Sequence, residues 1–182
     1  IANTALTEAL FARAQDVLPA VVPANVDTIA AGDGEVTLGL SDGLRLSARL
    51  VVAADGRHSL CRKAAGIGMS ERRDGQAALA ASFRHAHPHG NVSTELHREG
   101  GSVTTVPLPD QHASSLIWVG DEPEIARLMR LDADAFAEAL ARRLHGLLGA
   151  VGDIGPRAAF PVAGGVADTL AANRTALVGE AA

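Results

Sequence analysis

The chain is poor in aromatic residues, in cysteine and in positive charge, and each shortage excludes a class of protein. Aromatic side chains make up 3% of the 182 residues, with no tyrosine and one tryptophan, and the net charge is −5. A nucleic-acid-binding surface needs basic side chains and stacking rings, so nucleic acid is not an expected partner. The single cysteine, Cys61, allows no internal disulfide, and no secretory signal pattern is present. Together these two features predict a reducing, cytoplasmic location.

Long apolar runs are missing as well. No stretch reaches the roughly 18 consecutive apolar residues that a spanning helix needs, so we expect any membrane contact to be made from outside. Apolar residues make up 47% and charged residues 20% of the chain, which is typical of a folded globular protein. Because the chain opens at Ile1 without a methionine and closes on an apolar run followed by alanines, we expect both ends to be internal to a longer protein.

The first fifty residues predict a helix followed by an antiparallel ribbon. Asn3 is a suitable N-cap for a helix reaching about Leu18. One apolar stripe of that helix would contain Leu6, Leu10, Ala14 and Val17. After two prolines the period changes to two, and residues 26–49 predict a ribbon with turns at Asp33-Gly34 and at 41–43. The last strand is expected to bury one face, formed by Leu44, Leu46, Ala48 and Leu50.

The rest of the sequence predicts an antiparallel sheet, with one apolar strand before it and another after it along the chain. Leu50–Ala54 is continuously apolar and predicts a strand covered on both faces, and Thr175–Val178 predicts a second apolar strand. A short helix from Ser59 to Ala65 would close at Gly66. The sheet between them would contain Ala77–Phe83, Val92–His97, Val103–Leu108 and Ser114–Val119, with a further strand at 157–162. A helix capped by Asp132 should lie on that sheet through Phe136, Leu140, Leu144 and Leu147.

Each apolar strand ends in a glycine beside a carboxylate. These pairs are Asp55-Gly56 and Gly179-Glu180. Ligands of open α/β sheets bind beyond the carboxyl ends of the strands. There a carboxylate can accept hydrogen bonds from ribose hydroxyls, and glycine lets a ligand approach the backbone. An isolated Asp-Gly pair is more often only a turn, so the longer context decides between the two interpretations.

That context carries a resemblance to a known family. An apolar strand followed by Asp55, Gly56, Ser59 and Arg62 resembles the Asp-Gly motif of class A FAD-dependent aromatic monooxygenases, the para-hydroxybenzoate hydroxylase superfamily. Residues 173–182 look like the family's second flavin motif, although Glu180 stands where aspartate is usual. The most similar branch is that of the ubiquinone-biosynthesis hydroxylases. The family's Gly-x-Gly-x-x-Gly unit and its C-terminal part are missing, so the resemblance implies an internal fragment.

The resemblance implies a mixed α+β and α/β fold. Residues 1–70 and 166–182 would belong to a Rossmann-like FAD-binding domain, and residues 71–165 would form an antiparallel substrate-binding sheet with helices. It also implies NAD(P)H as co-substrate and hydroxylation of an aromatic ring by O2, with a polyprenylphenol of ubiquinone biosynthesis as the preferred substrate. No catalytic side chain is indicated. The FAD-binding residues it implies are Asp55, Gly56, Ser59, Arg62, Gly179 and Glu180.

Several alternatives stay open. The substrate could be a soluble phenol or another small aromatic compound, and the chain by itself could be catalytically silent. A peripheral contact with the inner membrane, a complex of ubiquinone-biosynthesis proteins and a homo-oligomer are open as partners. The alternation His85-x-His87-x-His89 could face a metal, but Pro88 and Gly90 favour a loop and we expect no metal site. A hydrolase triad of Asp55, His58 and Ser59 is disfavoured, because sequence neighbours rarely reach the required geometry.

Overall fold

A computed structural model describes residues 3–182, which form two compact units. One unit consists of Arg73–Ala163 with the chain up to Phe11, and the other of Ala12–Arg72 with Gly164–Ala182. The chain begins with the helix α1 (Asn3–Val17), the strands β1 (Val26–Ala31), β2 (Val36–Leu40), β3 (Arg45–Ala48) and β4 (Val51–Ala53), and the helix α2 (Leu60–Ala64). Next come the strands β5 (Met69–His85), β6 (Thr94–Arg98), β7 (Gly101–Pro107) and β8 (Ala113–Asp121), followed by the helices α3 (Glu122–Arg130) and α4 (Ala133–Arg143). The last elements are the strands β9 (Val151–Gly152), β10 (Ala158–Ala167), β11 (Ala171–Ala172) and β12 (Thr175–Leu177).

The first helix, α1, ends before the prolines, as predicted. Its expected apolar stripe is not covered by the described residues, since Leu6, Leu10 and Val17 are 48%, 63% and 56% exposed. The predicted stripe is therefore largely exposed within the described residues. The capping role expected of Asn3 concerns a side chain outside the described part of the structure. No helix within residues 3–182 combines the length and apolar character needed to cross a bilayer.

The predicted ribbon is present as a three-stranded antiparallel sheet in the order β1-β2-β3. Its first turn is closed by the Gly32 amide, which donates to the Glu35 carbonyl at 2.8 Å. Its second turn uses a left-handed glycine, Gly43, at φ +86°. The expected buried face of the last strand is wrong. Leu44 and Leu46 remain 55% and 41% exposed, because β3 is an edge strand and no described element covers that face.

The two apolar strands pair with each other in a second sheet of order β11-β12-β4. β12 and β4 run parallel, with Thr175 opposite Val51 and Leu177 opposite Ala53. Val51 and Ala53 are buried, but Val52 between them is 60% exposed, so the prediction of a strand covered on both faces was wrong. The reason is that the core of this unit lies on one face only. That core contains Val36, Val51, Ala53, Cys61, Ala65, Ile67, Ala167 and Leu177.

The predicted antiparallel sheet is confirmed and is larger than expected. Its order is β10-β5-β8-β7-β6, with β9 also paired to β5. β5 begins at Met69 rather than Ala77, and the strand predicted at 157–162 extends over Ala158–Ala167. One face of the sheet packs on α3 and α4. The buried residues of that core include Leu79, Phe83, Val103, Leu116, Trp118, Ile125, Leu128, Phe136 and Leu140.

The helix predicted after Asp132 is confirmed together with its cap. The Asp132 carboxylate accepts from the Ala135 amide at 2.8 Å, and satisfies one of the free amides of the first turn. Leu147 was expected on the buried face but is 49% exposed, and Leu148 is buried instead. The chain changes direction at His145 and Gly146, both with left-handed φ, so helical spacing no longer applies. The preceding helix, α3, was not predicted.

Candidate functional site

Parallel pairing of β4 with β12 brings the two carboxylate-bearing segments to one edge of the same sheet. The Val178 amide donates to the Ala53 carbonyl at 2.9 Å, at the point where both strands end. Neighbouring strands lie about 4.8 Å apart, so the segments that follow leave the sheet side by side. The structure therefore joins two motifs that are separated by more than one hundred residues in the chain.

Asp55 is held at the start of α2 and remains exposed to solvent. Its Oδ2 accepts a hydrogen bond from the Cys61 amide at 3.1 Å. Partial burial opposes ionisation, but hydrogen bonds from the Ser59 hydroxyl and the Cys61 amide outweigh it, and the pKa of Asp55 lies below its usual value. The carboxylate is therefore charged at neutral pH and available as an acceptor.

Gly56 and Gly179 both adopt left-handed backbone conformations, with φ of +80° and +61°. A Cβ placed on either residue would meet nothing within 4 Å, so the space beside each backbone is open. Glycine is needed here for its conformation rather than to avoid a neighbour. These are positions at which a ligand can approach the main chain closely.

Ser59 is the N-cap of α2 and is 1% exposed. Its Oγ accepts from the Arg62 amide at 2.8 Å, and its hydroxyl also bonds to Asp55. Ser59 thus ties the Asp55 carboxylate to the first turn of the helix. In this geometry Ser59 supports the loop, and whether it also touches a cofactor stays a prediction.

Arg62 links the two motifs directly. Its side chain is 6% exposed, and Nη1 donates to the Ala181 carbonyl while Nη2 donates to the Arg57 carbonyl, each at 2.9 Å. The planar guanidinium fork suits two carbonyls at fixed separation. The arginine fixes the turn that carries Glu180 relative to the loop that carries Asp55.

Glu180 lies in a short 3₁₀ turn, Gly179–Ala181, and is exposed. The turn is anchored on both sides. The Ala182 amide donates to the Gly179 carbonyl at 3.1 Å, and the Ala167 amide donates to the Ala182 carbonyl at 2.6 Å. The carboxylate itself is free to meet a ligand, whereas the backbone that carries it is fixed.

Supporting contacts made by Asn173 and Arg174 were not found from the sequence. Both residues adopt left-handed φ, and the Asn173 side chain donates to the Ala65 carbonyl at 3.0 Å. The Arg174 guanidinium donates to the carbonyls of Asp33 and Arg49. Asparagine before a strand is a known turn signal, so the turn could have been predicted but its partners could not.

Cys61 is a small buried residue of α2. It is 6% exposed, and burial, a hydrogen bond to Asp55 and the charge of Asp55 raise the pKa of its thiol to about 11. A thiol with so high a pKa is a poor nucleophile at neutral pH.

The histidines near the end of β5 form hydrogen bonds within the chain. Only His85 belongs to the strand; His87 and His89 follow in a loop. His85 bonds to the Ser114 hydroxyl at 2.9 Å and to the His87 carbonyl, while His89 bonds to the carbonyls of Leu108 and Asp110. Within residues 3–182 no group of three or more His, Cys, Asp or Glu side chains is arranged to hold a metal ion.

The residues of this sheet edge provide chemical groups that suit a dinucleotide cofactor such as FAD. A dinucleotide offers hydroxyl donors and a long polar backbone, and the edge offers two exposed carboxylates and two open glycine positions on rigid turns. These features fit the ribose-bearing part of such a cofactor.

Comparison with known proteins agrees with this geometry. The model of the FAD binding domain family matches residues 21–182. Ubiquinone hydroxylase UbiL of Rhodospirillum rubrum is 34% identical over 185 residues, covering 100% of this chain and 43% of that protein. The 3-demethoxyubiquinol 3-hydroxylase of Escherichia coli is 29% identical, covering 100% of this chain and 46% of that protein. OxyS anhydrotetracycline hydroxylase from Streptomyces rimosus has a TM-score of 0.65 at 18% identity, covering 100% of this chain and 37% of that one, a likeness of fold alone.

The chain belongs to the FAD binding domain family of class A flavin monooxygenases, as its motifs predicted. FAD is accordingly the cofactor of the domain. The chain spans less than half the length of these two curated relatives.

Proposed function

We propose that the protein containing this chain hydroxylates the aromatic ring of a polyprenylated phenol in ubiquinone biosynthesis, using O2 and NAD(P)H. The observation that carries the proposal is the meeting of Asp55-Gly56 and Gly179-Glu180 at the ends of two parallel strands. Two relatives, a ubiquinone hydroxylase and a 3-demethoxyubiquinol 3-hydroxylase, support the substrate class. When bound, FAD supplies the oxygen chemistry, and the protein supplies binding, orientation and exclusion of water.

Four residues of the sheet edge would hold FAD directly. The carboxylates of Asp55 and Glu180 would accept hydrogen bonds from hydroxyl groups of the cofactor, and Gly56 and Gly179 would let it approach the main chain. Ser59 and Arg62 would act through these residues, because their polar atoms are already used to hold the two turns together.

The substrate would lie against the face of the large sheet that α3 and α4 leave uncovered. At its centre Ala80, Ile117 and Thr104 stand in register on β5, β8 and β7. Ile117 and Val106 are 37% and 41% exposed although both are apolar. A face of small apolar and hydroxyl side chains suits a hydrophobic ring better than a charged soluble acid. This face therefore suits an uncharged aromatic ring, and the choice between a prenylated and a water-soluble phenol is left to the turnover assay below.

A titration with FAD tests the cofactor site. The full-length gene product and the present chain are each titrated, with Asp55→Asn as the variant and Asp42→Asn as its control. Asp42 is an exposed turn aspartate that also accepts a local amide, from Leu44 at 3.0 Å. We expect FAD affinity of the full-length product to fall about tenfold to a hundredfold in Asp55→Asn, since a hydrogen bond to a charged group contributes about 1.5–3 kcal/mol. Equal affinity of the Asp55→Asn variant and the unmodified protein would contradict the assignment.

A turnover assay tests the substrate class. The full-length product is given FAD, NADH or NADPH, and either a prenylated phenol or an unprenylated hydroxybenzoate, and products with one added oxygen atom are sought by mass spectrometry. Oxygen transfer to the prenylated ring supports the proposal. Transfer only to the soluble phenol would favour the alternative substrate, and FAD binding without any transfer would contradict the proposed hydroxylation.

A further inference from the structure

A cationic pocket lies on the helix-covered side of the large sheet, within the unit that contains residues 73–163. Its volume is about 280 Å³, and β6, β8, α3 and α4 all contribute to it. The side chains that define its chemistry are Arg98, Trp118, Glu124, Arg127, Arg142 and Arg143. Four arginines around one pocket are unexpected in a chain of net charge −5. None of them belongs to the residues assigned to FAD.

The charges of the pocket are only partly balanced by carboxylates. Arg127 is paired with Glu124 through two hydrogen bonds of 2.7 Å. Arg142 meets Glu138 at 3.4 Å, and both side chains are more than 70% exposed, so this pair contributes little. Arg98 has no carboxylate partner within residues 3–182. Two guanidinium charges therefore remain in excess once the two glutamates are counted.

Arg143 has an unused hydrogen-bond donor. Its Nη2 donates to the Gly101 carbonyl at 2.9 Å, and its guanidinium carbon lies 5.9 Å from the centre of the Trp118 ring. Its Nε is buried and lacks an acceptor among the described residues. Unsatisfied buried donors are rare in folded proteins because each one costs free energy. Arg143 is also a lining residue of the pocket, so its guanidinium keeps donor capacity beside the cavity.

The positive potential is also evident at Glu124. A hydrogen bond from Arg127 lowers the pKa of this carboxyl, partial burial opposes the change, and the charges of Arg127 and Arg143 lower it further. Its net pKa lies below the usual value. The surroundings of Glu124 therefore favour negative charge.

We propose that this pocket binds a phosphate group, carried either by a soluble phosphate ester or by a phospholipid headgroup. Guanidinium groups bind phosphate oxygens through paired hydrogen bonds, and a phosphomonoester carries about −1.5 to −2 charges at neutral pH, which matches the excess of two. The Trp118 ring, on which Arg143 rests, provides an apolar wall for the group that carries the phosphate.

The single tryptophan makes the pocket directly observable. Trp118 lines the pocket and is the one tryptophan of this chain, so the part of the fluorescence change that is absent in a Trp118→Phe variant reports on this place. The FAD-free full-length product is titrated with inorganic phosphate, with glycerol 3-phosphate, and with vesicles of phosphatidic acid or of phosphatidylcholine. Chloride at equal ionic strength serves as the salt control.

Two variants and one matched control separate specific binding from general charge. Arg98→Gln and Arg142→Gln each remove one exposed pocket charge, and Arg130→Gln removes one exposed charge of α3 outside the pocket. We expect a saturable fluorescence change that weakens about tenfold in each pocket variant and is unchanged in Arg130→Gln. Circular dichroism spectra of the variants are compared with that of the unmodified protein to check that each variant is folded.

The titrations also distinguish the two sources of phosphate. A response to glycerol 3-phosphate without one to phosphatidic acid vesicles identifies a soluble ester, and the reverse identifies a lipid headgroup. The proposal is overturned if no phosphate-bearing probe gives a saturable change. It is equally overturned if Arg130→Gln weakens the response as much as the pocket variants do.

Discussion

Replacing Arg62 by alanine should loosen the turn that carries Glu180. The change removes two charged hydrogen bonds, to the carbonyls of Ala181 and Arg57, and leaves the first of these carbonyls buried. Hydrogen bonds to charged groups contribute about 1.5–3 kcal/mol each, and water can replace the partly exposed one, so we expect a loss of about 2–4 kcal/mol. For a protein of this size, 3 kcal/mol corresponds to a fall in Tm of about 6–12 °C.

The assay combines thermal unfolding with hydrogen exchange. Unfolding is followed by circular dichroism, and amide exchange is measured on a peptide that covers residues 175–182. Lys63→Ala is the matched control, because Lys63 is the next residue of α2 and is exposed. Arg62→Lys keeps the charge but not the fork, so it should restore only part of the stability.

Faster exchange in the 175–182 peptide, seen in Arg62→Ala but not in Lys63→Ala, would locate the loss at the link between the two motifs. If Arg62→Ala and Lys63→Ala unfold at the same temperature, and exchange in that peptide is unchanged, Arg62 does not hold the motifs together and the reasoning fails.

Two further predictions concern local features. Asp132→Ala should cost about 1 kcal/mol and lower Tm by about 2–4 °C, since it removes the N-cap of α4, whereas Asp134→Ala should change Tm by less. Cys61 should react with iodoacetamide at pH 8 about a hundredfold more slowly in the folded chain than in urea, because its thiol pKa is raised to about 11. The stability linked to this protonated thiol is complete below the unfolded pKa and is lost as pH rises through about 11. A folded chain alkylated as fast as the unfolded one would refute the burial of Cys61.

The motifs and most elements were predictable because their signals are local. Ser59 and Asp132 cap helices through amides only three residues away, and the second turn of the ribbon depends on its own left-handed glycine, Gly43. The missed helix α3 had such signals too. Pro123 lies in its first turn with acidic neighbours, and arginines follow in its last turn. Apolar periodicity was less informative, because it shows which face is apolar and not whether anything covers it.

By itself, the sequence determined the positions of most strands and turns, the two carboxylate motifs and the flavoprotein resemblance, since each depends on residues close together in the chain. Only the tertiary structure decided which segments meet. Parallel pairing joined β4 to β12, Arg62 reached a carbonyl 119 residues away, and four arginines from three elements gathered beside Trp118. The physical reason is that hydrogen-bond partners and burial across such distances are set by the packing of whole sheets and helices. No spacing along the chain encodes that packing.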